Sequence, residues 1–390
     1  MRVLIVDDSA FMRRALSTML SNEPDIEIVG TGCNGREGLE LCRKLKPDVM
    51  TLDIEMPEMD GLTALRRIMS ECPTRVLMVS SLTTSGSHAA LRALSLGAAD
   101  VLAKDTSQIS LSVNDLREEL LQKVRALGKS GGVRCALKPA VETKHALELK
   151  PRQIDMICIG SSTGGPPVLE TVLKSIPSDC NSAIVVAQHM PKLFTQSLAE
   201  RLDELCNLPV VLLGETKTIE RGRIHICPGG AHTHIQKAGI GRWSVKISDE
   251  PVDALYKPSA DVLLETGAKA CGQRCLGIVL TGMGDDGYEG GKKLHEAGGK
   301  ILAQSAETCV VYGMPKKLTE QGLVAASMSP DQIAKELSKL GTATGSPVTP
   351  SDTLKQKTGS TVKTDPARGA TRPVSEWRRT DSREANWKKS

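Results

Sequence analysis

Aromatic residues are almost absent from this chain: Phe, Tyr and Trp make up 2% of its 390 residues. Its cores must therefore close on Leu, Ile, Val, Met and Ala. No apolar run approaches the ~20 residues that a membrane-spanning helix needs. The start, Met1–Ser9, puts Asp7 and Asp8 directly after four apolar residues, which is not a signal-peptide pattern. The eleven cysteines include no C-x-x-C pair, Cys271 and Cys275 being the nearest two. An odd, scattered set of thiols points to a reducing cytoplasm rather than to a disulfide framework. A charge excess is missing as well. Residues 341–390 hold ten Lys/Arg and five Asp/Glu, which leaves 40 basic against 41 acidic residues elsewhere, so the net +4 belongs to the tail. The body offers no global electrostatic case for nucleic-acid binding.

What is present is an alternation of short apolar runs and helical periodicity. In residues 1–125 the strand candidates are Val3–Val6, Ile26–Thr31, Val49–Leu52, Val76–Val79 and Val101–Ala103, and the last helix falls near Leu111–Leu127. Strands alternating with helices predict a doubly wound parallel sheet. Residues 126–152, rich in Gly, Lys and Pro from 128 onward, read as a linker. The alternation resumes over 153–340, with strands expected at Met156–Ile159, Ala183–Ala187, Val210–Leu213, Ile224–Cys227, Val245–Ile247, Leu276–Leu280 and Ile301–Ala303. Helices are expected at Phe194–Leu205, Ser259–Ala270 and Gln332–Leu340, and a small antiparallel excursion near 222–248. The fold class is α/β in both halves. The Thr-, Ser-, Pro- and Lys-rich stretch 341–390 is expected to be a disordered basic tail. Its Trp377 and Trp387, beside Arg and Lys, allow a second reading as a docking tether.

Five polar residues close four strands of the first half: Asp7 and Asp8, Asp53, Ser80 and Lys104. In an open α/β sheet they converge on one crevice at the carboxyl ends of the strands. Clustered carboxylates repel one another unless a cation sits among them, and Mg²⁺ suits a few carboxylates plus phosphate oxygens. Val6-Asp7-Asp8-Ser9 and Asp53-x-x-Met56-Pro57-x-Met59-Asp60-Gly61 resemble the receiver domain of bacterial response regulators, a flavodoxin-like fold of five parallel strands. The resemblance implies phosphotransfer from a histidine kinase to Asp53. It also implies Mg²⁺ held by Asp8, Asp53 and the Glu55 carbonyl with help from Asp7, and a switch through Ser80 and Lys104. Asp105 replaces the usual proline after that lysine, and Val101 stands where receivers carry a switch aromatic.

In the second half an apolar strand breaks at Gly160-Ser161-Ser162-Thr163-Gly164-Gly165 and a helical pattern follows, the setting in which a serine is held up as a nucleophile. Alone, the turn fits a phosphate cradle equally well. A serine nucleophile needs a base and an orienting acid. His189, in Gln188-His189-Met190-Pro191, and Asp286, in Thr281-Gly282-Met283-Gly284-Asp285-Asp286-Gly287, follow other parallel strands. Asp253, Asp261 and Asp285 are rival acids. His232 and His234 alternate as on a strand and lack Cys, Asp or Glu partners for a metal. The order Ser, His, Asp argues against the lipase-type α/β-hydrolases, which run Ser, Asp, His.

Residues 153–340 are similar to the catalytic domain of the chemotaxis protein-glutamate methylesterases, the CheB family, through these three motifs and Cys309-Val310-Val311-Tyr312-Gly313-Met314-Pro315. The resemblance implies a phosphorylation-activated serine hydrolase that demethylates glutamate esters and deamidates glutamines on methyl-accepting chemoreceptors. Ser162 is then the nucleophile, His189 the base, Asp286 the orienting acid and the Met283 N–H part of the oxyanion hole, with no cofactor for hydrolysis. The enzyme would be cytoplasmic, would meet the membrane only through receptors, and would have a chemotaxis histidine kinase as phosphodonor. Two residues depart from the family pattern. Ser161 replaces an alanine, and Asp285 replaces an asparagine and is expected to add a carboxylate beside the triad, raising the pKa of His189. Two other readings carry different expectations: a response regulator with a DNA- or protein-binding output predicts a helix-turn-helix after the linker, and a hydrolase of another ester or amide keeps the triad.

Overall fold

The computed structural model describes residues 1–104, 112–129, 153–214 and 217–341, all within one compact unit, Met1–Thr344. Most of the expected linker, the expected tail and Asp105 lie outside the described residues. The first half holds β1 (Arg2–Val6), β2 (Glu27–Gly32), β3 (Val49–Asp53), β4 (Arg75–Ser81) and β5 (Asp100–Lys104). They form a parallel sheet in the order β2-β1-β3-β4-β5. Between and after them run α1 (Ala10–Ser21), α2 (Gly35–Leu45), α3 (Gly61–Glu71), α4 (Thr84–Ser95) and α5 (Ser112–Lys129). Local chemistry sets the helix starts. Ser9, Asn34, Asp60 and Thr83 each accept a backbone N–H of the first turn through the side chain. Gly61 is required for a second reason: a Cβ there would lie 2.0 Å from the carbonyl oxygen of Asp53. α5 continues to Lys129, two residues past the predicted end, with Val124 and Leu127 buried on its inner face.

The second half holds β6 (Met156–Ser161), β7 (Ala183–Gln188), β8 (Val210–Leu212), β9 (Thr218–Ile219), β10 (Arg223–Ile226), β11 (His232–Gly239), β12 (Arg242–Ser248), β13 (Cys275–Val279), β14 (Lys300–Gln304) and β15 (Ala326–Met328). Its helices are α6 (Gly165–Leu173), α7 (Lys192–Leu205), α8 (Ala260–Cys271), α9 (Tyr288–Glu296), α10 (Met314–Glu320) and α11 (Pro330–Leu337). Seven strands make a parallel sheet ordered β15-β14-β13-β6-β7-β10-β8, and β11-β12-β9 make a small antiparallel sheet. The expected excursion near 222–248 is there as β11 and β12, with the short β9 added at its edge, while β10 belongs to the parallel sheet. A seven-stranded sheet stands where a DNA-binding output required a helix-turn-helix.

Strand order reverses around β6, which has β7 on one side and β13 on the other. The crevice at the carboxyl ends of β6 and β13 is the topological switch point, where such sheets bind ligands. Apolar packing runs from one half into the other. Receiver residues Leu91 and Leu94 share a buried cluster with Leu198 and Leu202, and Val311 packs with Ile5 and Leu102.

Candidate active site and receiver pocket

The parallel register pairs Ser161 of β6 with Gln188 of β7. The next residues, Ser162 and His189, are therefore set side by side by the sheet. The His189 N–H donates to the Ser161 carbonyl at 3.0 Å, and the Ser162 N–H donates to the Thr281 carbonyl at 3.1 Å. Gln188 donates from Nε2 to the Ser162 carbonyl at 3.0 Å. The chain then turns through Gly164, at φ 77°, into α6. A Cβ on Gly165 would lie 2.0 Å from Ser161 Oγ and 2.4 Å from Gln188 Oε1, so only glycine fits under the turn.

His189 Nε2 lies 2.7 Å from Asp286 Oδ2. Its Nδ1 is buried and has no hydrogen-bond partner. The Asp286 carboxylate sits against the start of α8, where Oδ1 accepts from Ser259 Oγ at 2.8 Å and from the Asp261 N–H at 2.9 Å, and Oδ2 accepts from the Ala260 N–H at 2.6 Å. Burial by itself would raise this carboxyl. The hydrogen bond and charge of His189, with the two backbone N–H groups, outweigh it and hold Asp286 below the usual carboxylate value. The helix N-terminus adds to that preference for negative charge.

The rival acids separate. Asp261 is two residues into α8, and its Oδ1 accepts from the Gly287 and Gly290 N–H groups at 2.9 and 2.7 Å. Burial and the charge of Asp286 push it up to about 7. Asp285 turns outward and pairs with Lys317 at 2.6 Å. The expected extra carboxylate is thus engaged by an ammonium and does not bear on His189 alone. Asp253 is exposed. His232 is a buried brace: its Nδ1 accepts from the Ser259 N–H and its Nε2 donates to the Pro251 carbonyl, both at 3.2 Å. His234 Nε2 donates to the Glu250 carbonyl at 2.9 Å. Among the described residues the only acidic, His or Cys cluster compact enough for a metal is in the first half.

Sequence reasoning missed two members of the site. Tyr256 stacks on the His189 ring with centroids 4.4 Å apart and planes within 11°, and no periodicity marks it. Ser259, which caps α8 and donates to Asp286, had a signal in Pro258-Ser259-Ala260-Asp261, an N-cap residue before a helix.

A cavity of about 430 Å³ is lined by Ser162, His189, Tyr256 and Met283 on one side and by Asp100, Val101, Glu119 and Lys123 of the first half on the other. Thr163, next to Ser162, donates from Oγ1 to Asp100 Oδ2 at 2.6 Å. Asp100 also pairs with Lys123 at 3.2 Å. Beside them Ser87 of α4 meets Ser197 of α7 in a buried 2.6 Å hydroxyl contact. Val101, which replaces the expected aromatic, is part of the cavity wall.

At the other end of β5, Lys104 Nζ lies 2.7 Å from Asp7 Oδ2 and 3.0 Å from Asp53 Oδ1. Asp7, Asp8 and Asp53 present carboxylate oxygens within 4.8 Å of one another. Asp7 and Asp53 are buried while Asp8 is exposed. Burial pushes Asp53 up to about 6, against the opposing charge of Lys104. Ser80 is buried and donates from Oγ to the Gly86 carbonyl at 3.0 Å, and Glu55 is exposed. Hard oxygen donors, one of them open to solvent, fit a small divalent cation.

Fold and site define a class: a receiver with an acidic pocket, joined to an α/β hydrolase whose cleft the receiver lines. Comparison with known proteins narrows it. Residues 157–337 match the CheB methylesterase family and residues 3–114 the response regulator receiver domain. The chain is 45% identical over 364 residues to protein-glutamate methylesterase/protein-glutamine glutaminase 1 of Oleidesulfovibrio alaskensis, covering 86% of this chain and 98% of that protein. It is 40% identical over 344 residues to the corresponding protein of Geobacillus kaustophilus, covering 87% and 98%. The crystal structure of the Thermotoga maritima CheB methylesterase catalytic domain matches at 34% identity and a TM-score of 0.46, over 48% of this chain and 98% of that one. The chain belongs to the CheB family of protein-glutamate methylesterases/protein-glutamine glutaminases, with its receiver in front.

Proposed function

We propose that Ser162, His189 and Asp286 hydrolyse glutamyl methyl esters, and deamidate glutamines, on chemoreceptors. The observation that carries this reading is the 2.7 Å His189–Asp286 pair standing on the strand end beside Ser162. With Nε2 committed to the carboxylate, Nδ1 is the nitrogen that takes a proton. Ser162 Oγ attacks the γ-carbonyl carbon of the ester as His189 accepts its proton. The tetrahedral oxyanion is held by the Met283 N–H, and such a donor is typically worth ~3–4 kcal/mol. Collapse expels methoxide, which leaves as methanol with the proton from His189, or ammonia when the substrate is an amide. Water, deprotonated by His189, then splits the glutamyl-serine ester. Asp286 keeps its charge throughout, because its four donors stabilise the carboxylate and, through it, the imidazolium.

Control would come from the receiver. Asp53 accepts a phosphoryl group from a histidine kinase, with Ser80 and Lys104 on hand to contact its oxygens. Asp8, Asp53 and the Glu55 carbonyl, with Asp7 assisting, would hold Mg²⁺, which neutralises charge during phosphoryl transfer when bound. In the unphosphorylated chain the receiver lines the cleft and Asp100 holds Thr163, which keeps substrate from Ser162. A cytoplasmic location fits both substrates. No helix among the described residues is long and apolar enough to cross a membrane.

Ser162→Ala is the test. Methanol release from methyl-esterified receptors should vanish while phosphorylation of Asp53 persists. Retained release would remove Ser162 from its role.

A further inference from the structure

A second cavity, about 840 Å³, adjoins the first and shares Gly230 with it. Its floor is apolar, with Leu213 and Val245. Its charged lining residues, among those described, are all cations: Lys192, Lys217 and Lys246, each exposed. None of the three forms an ion pair among the described residues, so their charges are open to a ligand in the groove. Lys192 is also at the wrong end of its helix. It opens α7, whose first turn has no acidic residue and whose N-cap, Pro191, offers no side-chain hydrogen bond. A cation there opposes the helix dipole, and an anion beside it relieves both.

We propose that this groove is a docking subsite for carboxylates on the substrate polypeptide, the glutamates that flank the reacting ester on a receptor helix. The inference rests on the methylesterase reading above and adds the substrate feature that is recognised. The apolar floor takes the methylene stems of a helix face, and the lysines take its carboxylates one or two turns from the ester, at the i±4 and i±7 positions that share a face. Lys192 is three residues beyond His189, so the groove begins where the chemistry ends. Hydrolysis turns each ester into a carboxylate, so a receptor that has already lost some esters binds more tightly through this face.

The experiment uses the full-length chain, phosphorylated at Asp53 with a small-molecule phosphodonor and Mg²⁺, and two synthetic helical peptides, each with one glutamate γ-methyl ester. One peptide carries glutamates at the flanking positions and the other glutamines. Methanol release by the unaltered chain should favour the glutamate peptide by about tenfold or more in kcat/KM, mostly through KM, and the preference should shrink with added salt. The K192E/K217E/K246E variant should lose that preference, keep its rate on the glutamine peptide, and gain on a third peptide with flanking lysines. These side chains are exposed, and the retained rate on the glutamine peptide reports an intact fold. Equal kcat/KM on the first two peptides, or an equal loss on both in the variant, overturns the proposal. If the preference persists and the variant instead stops sedimenting with phosphatidylglycerol vesicles, the face belongs to lipid headgroups and the proposal also falls. No methanol from any peptide with the unaltered chain defeats the esterase reading itself, a separate result.

Discussion

Replacing Asp261 with asparagine probes the electrostatics beneath the triad. Asp261 Oδ1 takes the Gly287 and Gly290 N–H groups and so ties α8 to the loop that carries Asp286. Burial and the fixed charge of Asp286 bring Asp261 from 3.8 up to about 7. That rise of roughly three pH units corresponds to ~4 kcal/mol if assigned to one group. The two carboxylates titrate as a pair, so the effect expected from Asp261 alone is smaller, on the order of 2 kcal/mol. Because the folded value is the higher one, the folded chain holds a proton between about pH 4 and 7 that the unfolded chain has lost. Stability therefore falls as pH rises through that window, and the full penalty is present above 7. Asparagine keeps the acceptor oxygen, presents N–H groups to Asp286 and never ionises. Asp261→Asn should match the parent chain near pH 4.5 and exceed it by about 2 kcal/mol at pH 8. Urea unfolding at a series of pH values, read as a shift in midpoint at constant slope, measures this. A pH-independent difference, or a less stable variant at pH 8, would refute the reasoning.

Asp100→Ala removes the acceptor of Thr163 and one partner of Lys123. Basal methanol release from the unphosphorylated chain should rise several-fold, and an unchanged basal rate would separate this contact from control of the cleft. Gly165→Ala drives a methyl into Ser161 Oγ and Gln188 Oε1. It should cost about 2–3 kcal/mol in thermal unfolding and lower kcat by displacing Ser162. Adding Ser161→Ala removes the nearer clash and should restore part of both losses.

The parallel strands were legible because buried parallel strands read as unbroken apolar runs, and runs such as Ile157–Ile159 and Val185–Ala187 are bounded by glycine or polar turns. β9 and β15 were not, because two or three residues give no period to read. The antiparallel ribbon was placed near 222–248, where β11 and β12 lie, but β11 itself was not listed as a strand because it is half polar, His232-Thr233-His234-Ile235-Gln236, and only its partner β12 has the alternation of a one-sided strand. Ser162, His189 and Asp286 were singled out through their motifs and the family resemblance these carry, because motif spacing reports local turns well. The motifs left the acid ambiguous because choosing among Asp253, Asp261, Asp285 and Asp286 needs the position of α8, a contact between segments 25 residues apart. Tyr256 was invisible in the same way, since a stacking partner is defined by where a loop lands.

β5 has a consequence that neither of its ends reveals alone. Lys104 at one end touches Asp53, and Asp100 at the other holds Thr163. Three residues of extended backbone lie between them, and the four rises span ~13 Å. β5 is also an edge strand, bonded only to β4. The proposed input and output of this protein are thus two ends of one rod, whose Val101 carbonyl and Asp100 carboxylate are both held by Lys123 of α5. A tug on Lys104 has no hinge to cross before it reaches the hydroxyl beside Ser162. On the proposed scheme, with Asp53 as phosphoacceptor and the Asp100–Thr163 contact as restraint, the two sites are separated by the length of that single strand.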